Sequence, residues 1–136
     1  MTYLLDTNIL SEFLKRTPAE ALVDRIRRHP PETLCTSVIC VMELRYGALL
    51  RSDHAAFWQR IVSEVLSRIR VLGCGEEEAL MAAEMLAHLK RTGKPIDVED
   101  VLIGATAHVH RQIIVTHHIT HFQSLPYVKV EDWFAT

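Results

Sequence analysis

The chain has 136 residues, of which 49% are hydrophobic and 24% are charged, and its formal net charge is −2. This length and composition indicate one globular domain over residues 1–136, with a core that needs no disulfide or metal to hold it. The apolar runs are too short to cross a membrane and no secretory leader opens the chain, so we expect a cytoplasmic protein. The overall charge gives no indication of nucleic-acid binding, although lysines and arginines occur in local groups.

The cysteines point to the same compartment. Cys35, Cys40 and Cys74 are odd in number and show no C-x-x-C spacing. This pattern indicates buried thiols in a reducing cytosol rather than a disulfide or zinc framework.

Hydrophobic periodicity predicts strands and helices that alternate along the chain. In chain order these are a strand at Thr2–Leu5, a helix to about Lys15, a helix from Thr17-Pro18 to His29-Pro30-Pro31, a strand at Thr33–Thr36, a helix from Ser37 (its cap) to Leu49, a helix over Phe57–Leu66, a strand at Ile69–Leu72, helices over Glu76–Arg91 and Val98–Arg111, and strands at Ile113–Thr116 and Val128–Val130. Strands that alternate with helices pair in parallel, with helices on both faces of the sheet. The sequence therefore predicts an α/β fold of three layers, α/β/α, around a central and mainly parallel sheet.

Asp6 lies where the first strand gives way to helical spacing, and two interpretations of it are open. Its side chain could cap the helix by accepting a hydrogen bond from a free N–H group of the first turn. Alternatively, Asp6 stands at the carboxyl end of a strand, where open α/β sheets place their functional sites. Asp6 alone does not decide between them.

Two further acids could meet Asp6 at this edge of the sheet. Glu43 lies one to two turns into the helix after the second strand, and Asp100 opens the helix before Ile113–Thr116. Each pair of carboxylates at ~4 Å repels by about 4 kcal/mol near a protein surface, so such a cluster requires a cation, and oxygen ligands suit Mg²⁺ or Mn²⁺. The alternative is structural: Asp6 as a cap, Glu43 as an exposed acid near Arg45, and Asp100 as a first-turn acid that complements the helix dipole.

Four blocks of sequence favour the metal site. They are MTYLLDTNILSEFL, TSVICVMELRYGA, GKPIDVEDVLIGATA and IIVTHHITHFQSLPYVKVEDW. In this order they resemble the PIN-domain ribonucleases, and especially the VapC-type toxins of toxin–antitoxin pairs. The resemblance implies that Asp6, Glu43 and Asp100 hold Mg²⁺ or Mn²⁺ and promote hydrolysis of single-stranded or looped RNA. Asp97 and Glu99 could compete with Asp100, but only Asp100 directly precedes the Val-Leu-Ile-Gly-Ala run.

The resemblance also implies accessory residues. Thr7, or a hydroxyl such as that of Ser37, would orient the first acid or a water. His118 stands where the family often has a fourth acid or an Asn; its imidazole could bind Mn²⁺, a phosphate or a water, or leave a second metal weakly held. Arg45, near Glu43 in sequence, could reach a substrate phosphate or an acidic antitoxin tail. For two other histidines of this block we expect roles in a polar loop rather than as ligands, and these are His117 and His121.

Partners and rival functions follow from the same resemblance. VapC-type proteins are generally inhibited by an antitoxin peptide that covers the site and commonly form dimers, so we expect an antitoxin partner and a homodimer. A HAD-type phosphatase would need an Asp two residues after Asp6, where this chain has Asn8. A catalytically weak PIN-fold module that binds RNA or a protein partner stays open as the alternative, because His118 replaces an acid.

Overall fold

The computed structural model of the protein describes residues 1–134. In chain order this part contains β1 (Tyr3–Leu5), α1 (Thr7–Glu12), α2 (Glu20–Arg27), β2 (Leu34–Ser37), α3 (Val38–Leu49), α4 (His54–Glu64), β3 (Arg70–Leu72), α5 (Glu76–Thr92), α6 (Val98–Val109), β4 (Ile113–Val115) and β5 (Val130–Glu131). Short 3-10 helices lie at Pro31–Thr33, Leu66–Arg68 and Ile119–His121. Among these residues no helix has the length and apolar character that a membrane crossing requires.

The strands form one sheet in the order β3-β2-β1-β4-β5, and every pairing is parallel. The predicted three-layer α/β/α architecture is therefore confirmed. Because all strands run in the same direction, their carboxyl ends share one edge. The residues that follow β1 and β4 at that edge are Asp6 and Thr116, and the Asp6 amide continues the pairing with a 3.0 Å hydrogen bond to the Val115 carbonyl.

Apolar side chains pack on both faces of the sheet. Successive residues of a strand point to opposite faces, so Leu4 belongs to a core cluster with Met85 of α5 and Ile103 of α6, whereas Leu5 belongs to a second cluster with Ile9 of α1. Each such side chain, when fully buried, contributes about 1.5–3 kcal/mol. The double-sided core explains why β1 is apolar throughout and why the first polar residue after it lies at the sheet edge.

The boundaries of the elements differ from the prediction at several ends. The first helix stops at Glu12 rather than near Lys15, and the last strand is Val130–Glu131 rather than Val128–Val130. The register of the last strand depends on its pairing with β4, in which Ile114 lies opposite Val130. That pairing is a tertiary contact, and the local pattern of the chain does not encode it.

Candidate active site

Asp6 ends β1, begins α1 and is almost fully buried. Its Oδ1 accepts a 2.8 Å hydrogen bond from the Thr7 amide, and its Oδ2 accepts bonds of 2.9 Å from Asn8 Nδ2 and 2.9 Å from Thr116 Oγ1. Both interpretations of Asp6 therefore apply, since the residue caps α1 and also lies at the carboxyl edge of the sheet. Three donors fix the direction of its carboxylate.

Thr116 and Asn8 join the start of α1 to the loop after β4. The Thr116 hydroxyl donates to Asp6 and accepts from Asn8 Nδ2 at 3.1 Å and from the His118 amide at 3.0 Å. The Asn8 Oδ1 accepts a 2.9 Å bond from the His117 amide. The hydroxyl thus uses its donor and both acceptor positions, as buried polar groups generally do.

Glu43 projects from α3 toward Asp6. Its Oε1 accepts a 2.6 Å hydrogen bond from the Thr7 hydroxyl. Burial raises the pKa of Glu43, the Thr7 hydrogen bond opposes that change, and the negative charges of Asp6 and Glu99 raise the pKa further. The half-buried carboxylate therefore lies among like charges.

Ser37 sets the start of α3, as predicted, because its Oγ accepts a 3.1 Å hydrogen bond from the Cys40 amide. Cys40 lies three residues before Glu43 and so on the same side of the helix. Its Sγ is 3.9 Å from Asp6 Oδ1. The side chain of Ser37 is thus engaged at the helix end, and its hydrogen bonds join it to Cys40 rather than to an acid.

Asp6, Cys40 and Glu43 each offer one atom to a group whose members lie within 4.8 Å of one another. Burial, and then the charge of Asp6, raise the pKa of the Cys40 thiol, so the sulfur stays protonated at neutral pH. A thiol is a poor ligand for a hard cation, whereas two carboxylates suit Mg²⁺ or Mn²⁺. The carboxylate oxygens of Asp6 and Glu43 therefore fit such an ion, and Cys40 lies beside them as an uncharged side chain.

Asp100 lies in the first turn of α6 and lines the same cleft, but it is not a member of that 4.8 Å group. Burial raises the pKa of Asp100 to about 6, the His121 charge opposes the rise, and Asp6 and Glu43 add to it. His121 Nδ1 lies 3.3 Å from Asp100 Oδ2. Asp97 and Glu99, the two rivals of Asp100, are exposed at the rim.

These residues surround an open cleft of about 570 Å³ at the carboxyl edge of the sheet. Carboxylates dominate its lining, together with three histidines and one lysine; the charged and histidine residues are Asp6, Glu12, Lys15, Glu43, Asp97, Glu99, Asp100, His117, His118 and His121. The structure thus brings the three predicted acids to one cleft. A cation there would offset the repulsion between them.

His117, His118 and His121 lie in the loop after β4, here called the β4 loop, and form one wall of the cleft. The His118 and His121 rings stack with centroids 5.0 Å apart and an angle of 17° between their planes, and His117 Nδ1 lies 3.5 Å from Asp132 Oδ2. His118, the predicted accessory residue, therefore lines the cleft beside the partner of Asp100. His121 is more closely engaged with an acid than the sequence indicated.

Arg45, a predicted accessory residue, packs on Trp58 of α4. Its guanidinium carbon lies 5.0 Å from the centroid of the Trp58 ring, an arrangement typical of a cation–π contact. Arg45 does not line the cleft. The guanidinium lies toward α4, and contact of Arg45 with a substrate phosphate or an acidic antitoxin tail stays a prediction.

Comparison with known proteins agrees with this geometry. The family model of the PIN domain matches residues 3–120. The chain belongs to the PIN domain family. Ribonuclease VapC2 of Haemophilus influenzae is 31% identical to this PIN domain over 133 residues, which cover 98% of both chains. The resemblance seen in the four sequence blocks is thereby confirmed.

Solved structures show the same fold. FitAcB from Neisseria gonorrhoeae superposes with a TM-score of 0.91 at 29% identity and covers 99% of this chain and 100% of that one. DNA-bound VapBC from Salmonella typhimurium has a TM-score of 0.89 at 28% identity, with 98% of each chain covered. These two structures therefore share the architecture of this PIN domain over 98–99% of its length.

Residues in contact with the acids were also not predicted to act there, and these include Asn8 and Thr116, which hold Asp6, and His121, which contacts Asp100. A signal existed for Thr116, which follows β4 as Asp6 follows β1. Strands that are neighbours in a parallel sheet place such residues side by side. No comparable signal existed for His121, whose contact with Asp100 depends on the path of the loop between β4 and β5.

Proposed function

We propose that this PIN domain, acting as one domain over residues 1–136 in the cytoplasm, is the VapC-type toxin of a toxin–antitoxin pair and an endoribonuclease that depends on Mg²⁺ or Mn²⁺. The observation that carries the proposal is the convergence of Asp6, Glu43 and Asp100 on one cleft in a chain of this family. The substrate is RNA, whose phosphodiester bonds are hydrolysed.

Asp6, Glu43 and Asp100 would hold the cation, and their chemistry supports this assignment. All three offer carboxylate oxygens, and burial raises the pKa values of Glu43 and Asp100, with the negative charges of their acidic neighbours adding to the rise. Bound there, Mg²⁺ or Mn²⁺ supplies a Lewis acid that neutralises phosphate charge and makes water a stronger nucleophile at neutral pH.

Three polar neighbours orient two of these acids. Thr7 holds Glu43 through its hydroxyl, and Asn8 and Thr116 hold Asp6. Such outer contacts keep ligands in a fixed direction and thereby reduce the reorganisation that the reaction requires. The open shape of the cleft suits a single strand or a loop of RNA.

The partners of the toxin are an antitoxin and a second copy of the chain. An antitoxin segment that covers the cleft would exclude RNA and so inhibit the enzyme. For the homodimer we propose the outer face of α3, where Val38, Met42, Tyr46 and Leu49 are between 40% and 65% exposed and carry no charge. Apolar side chains in a row along one helix face are typical of a protein–protein interface.

The proposed activity is tested by incubating purified protein with a pool of structured RNAs in Mg²⁺, Mn²⁺ or EDTA. We expect the wild type to cleave only with metal, and Asp6→Asn and Asp100→Asn to lose cleavage. Glu99→Gln, which removes an exposed acid from the same rim, is the matched control and should retain activity. Metal-independent cleavage, or cleavage by both Asn variants, would contradict the proposal. RNA binding without any cleavage would favour the alternative of a catalytically weak module.

A further inference from the structure

Lys15 is the one lysine or arginine that lines the cleft within residues 1–134. The other charged groups of the lining are carboxylates, and the histidines carry charge only when protonated. A polyanion such as RNA meets strong repulsion in such a cleft unless cations offset it. A metal ion held by the three acids would offset this repulsion at one phosphate, and the rest of the strand would still need a positive partner.

The position of Lys15 is fixed by Glu12, the last residue of α1. Lys15 Nζ lies 2.8 Å from Glu12 Oε1, and Glu12 Oε2 accepts a 2.9 Å hydrogen bond from the Ala19 amide. The Glu12 side chain is only 10% exposed, whereas that of Lys15 is 65% exposed. The buried acid thus has a second, independent anchor, and the lysine extends from it into solvent at the rim of the cleft.

A stabilising role alone gives a weak account of this pair. Ion pairs at a protein surface contribute about 0.2–1 kcal/mol, the Lys15 end of this pair is 65% exposed, and the Ala19 amide already satisfies one oxygen of Glu12. An ammonium group has three donors, of which Glu12 uses one. Two N–H donors of Lys15 are therefore left for a ligand, and the buried Glu12 keeps Lys15 at the cleft.

We infer that Lys15 binds a backbone phosphate of the RNA that flanks the cleavage point. The inference rests on the proposed function and adds to it a residue that holds the strand rather than the metal. Lys15 pairs with Glu12 and with none of the three proposed ligands, so it would hold the strand at the rim of the cleft rather than take part in metal binding.

The test compares Lys15→Gln with Arg16→Gln, because Arg16 is the adjacent exposed cation and does not line the cleft. Binding of a fluorescein-labelled single-stranded RNA of mixed sequence is measured by anisotropy in Ca²⁺ over a range of KCl concentrations. We expect Lys15→Gln to weaken binding about tenfold at low salt. The slope of log K against log salt should become shallower by about 0.7, the value for one phosphate contact on a single strand. Lys15→Arg should restore both quantities.

Two controls separate this inference from other outcomes. Thermal unfolding of Lys15→Gln should stay cooperative and fall below that of Arg16→Gln by only the few degrees that loss of one surface ion pair gives, which excludes loss of fold as the cause. Equal RNA affinity and equal salt slopes for Lys15→Gln and Arg16→Gln would overturn the role of Lys15, and so would an absence of RNA binding by the wild type. If the two variants bind RNA equally while the wild type still cleaves RNA with metal, the proposed function stands and only the assignment of Lys15 fails.

Discussion

The Thr7 hydroxyl donates a 2.6 Å hydrogen bond to Glu43 Oε1 while the amide of the same residue donates a 2.8 Å bond to Asp6 Oδ1. One residue therefore orients two carboxylates that belong to different helices, 37 positions apart in sequence. Thr7 stands at the first position of α1. The relative direction of the two acids consequently depends on the start of α1.

Thr7→Val tests this relationship, because valine keeps the shape of threonine and removes its hydroxyl. Without the hydrogen bond, Glu43 is free to rotate, and loss of such an outer contact typically weakens metal binding about 10- to 100-fold. Titration calorimetry with Mn²⁺ measures the effect. Thr7→Ser retains the hydroxyl and should bind nearly as well as the wild type; equal affinity of Thr7→Val and the wild type would show that the bond does not position Glu43.

Thr116→Val should destabilise the fold itself. The substitution removes the acceptor of the Asn8 side-chain amide and of the His118 backbone amide, and it removes one donor to Asp6. A buried polar group without a partner costs about 1–3 kcal/mol. Urea denaturation without metal should show a loss of this size in the free energy of unfolding. Thr116→Ser serves as the control, and it should lose less because it keeps all three hydrogen bonds.

The fold could be predicted because its determinants are local. Leu4 and Leu5 face opposite cores, so the first strand is apolar at every position, and Ser37 marks the start of α3 by capping it. Alternation of such segments is enough to indicate a parallel sheet. The gathering of Asp6, Glu43 and Asp100 then follows from topology, together with the resemblance to the PIN family that selected Asp100 from its acidic neighbours.

The wall of the cleft that the β4 loop supplies could not be predicted in the same way. The contact between His121 and Asp100 and the stacking of His118 on His121 bring together side chains from α6 and a loop without periodicity. Arg45 illustrates the same limit. It is two residues from Glu43 in sequence, but this closeness does not predict that its side chain packs on Trp58. Side-chain direction depends on neighbours that are distant in sequence.

The proposed dimer predicts a change of oligomeric state for Met42→Glu. Met42 is 50% exposed on the apolar face of α3, and a charge buried at a self-associating interface would meet its own copy across the twofold axis. Light scattering coupled to gel filtration should report a dimer for the wild type and a monomer for the variant. Gln123→Glu adds the same charge at an exposed position and should stay dimeric; a monomeric wild type would contradict the homodimer.

The buried position of Asp100 predicts that the free energy of unfolding depends on pH, and Asp100→Asn tests this prediction. The pKa of Asp100 is about 6 in the folded protein, against an ordinary value of 3.8. Between these values the folded state binds a proton that the unfolded chain has lost, so the contribution of Asp100 to the free energy of unfolding falls as pH rises from about 4 to about 6. Without metal, the ionised Asp100 therefore destabilises the wild type at pH 7.

The asparagine variant lacks this penalty, so at pH 7 in EDTA its melting temperature should exceed that of the wild type by up to about 10 °C, and at pH 4 the two should converge. Addition of Mn²⁺ should reverse the order, because an ion that binds the folded state raises only the melting temperature of the protein that holds it. Glu99→Gln, at an exposed position, should gain less in EDTA and keep its response to Mn²⁺. An Asp100→Asn protein that Mn²⁺ stabilises as much as the wild type would remove Asp100 from the set of ligands, because its carboxylate would then contribute nothing to the binding of the ion.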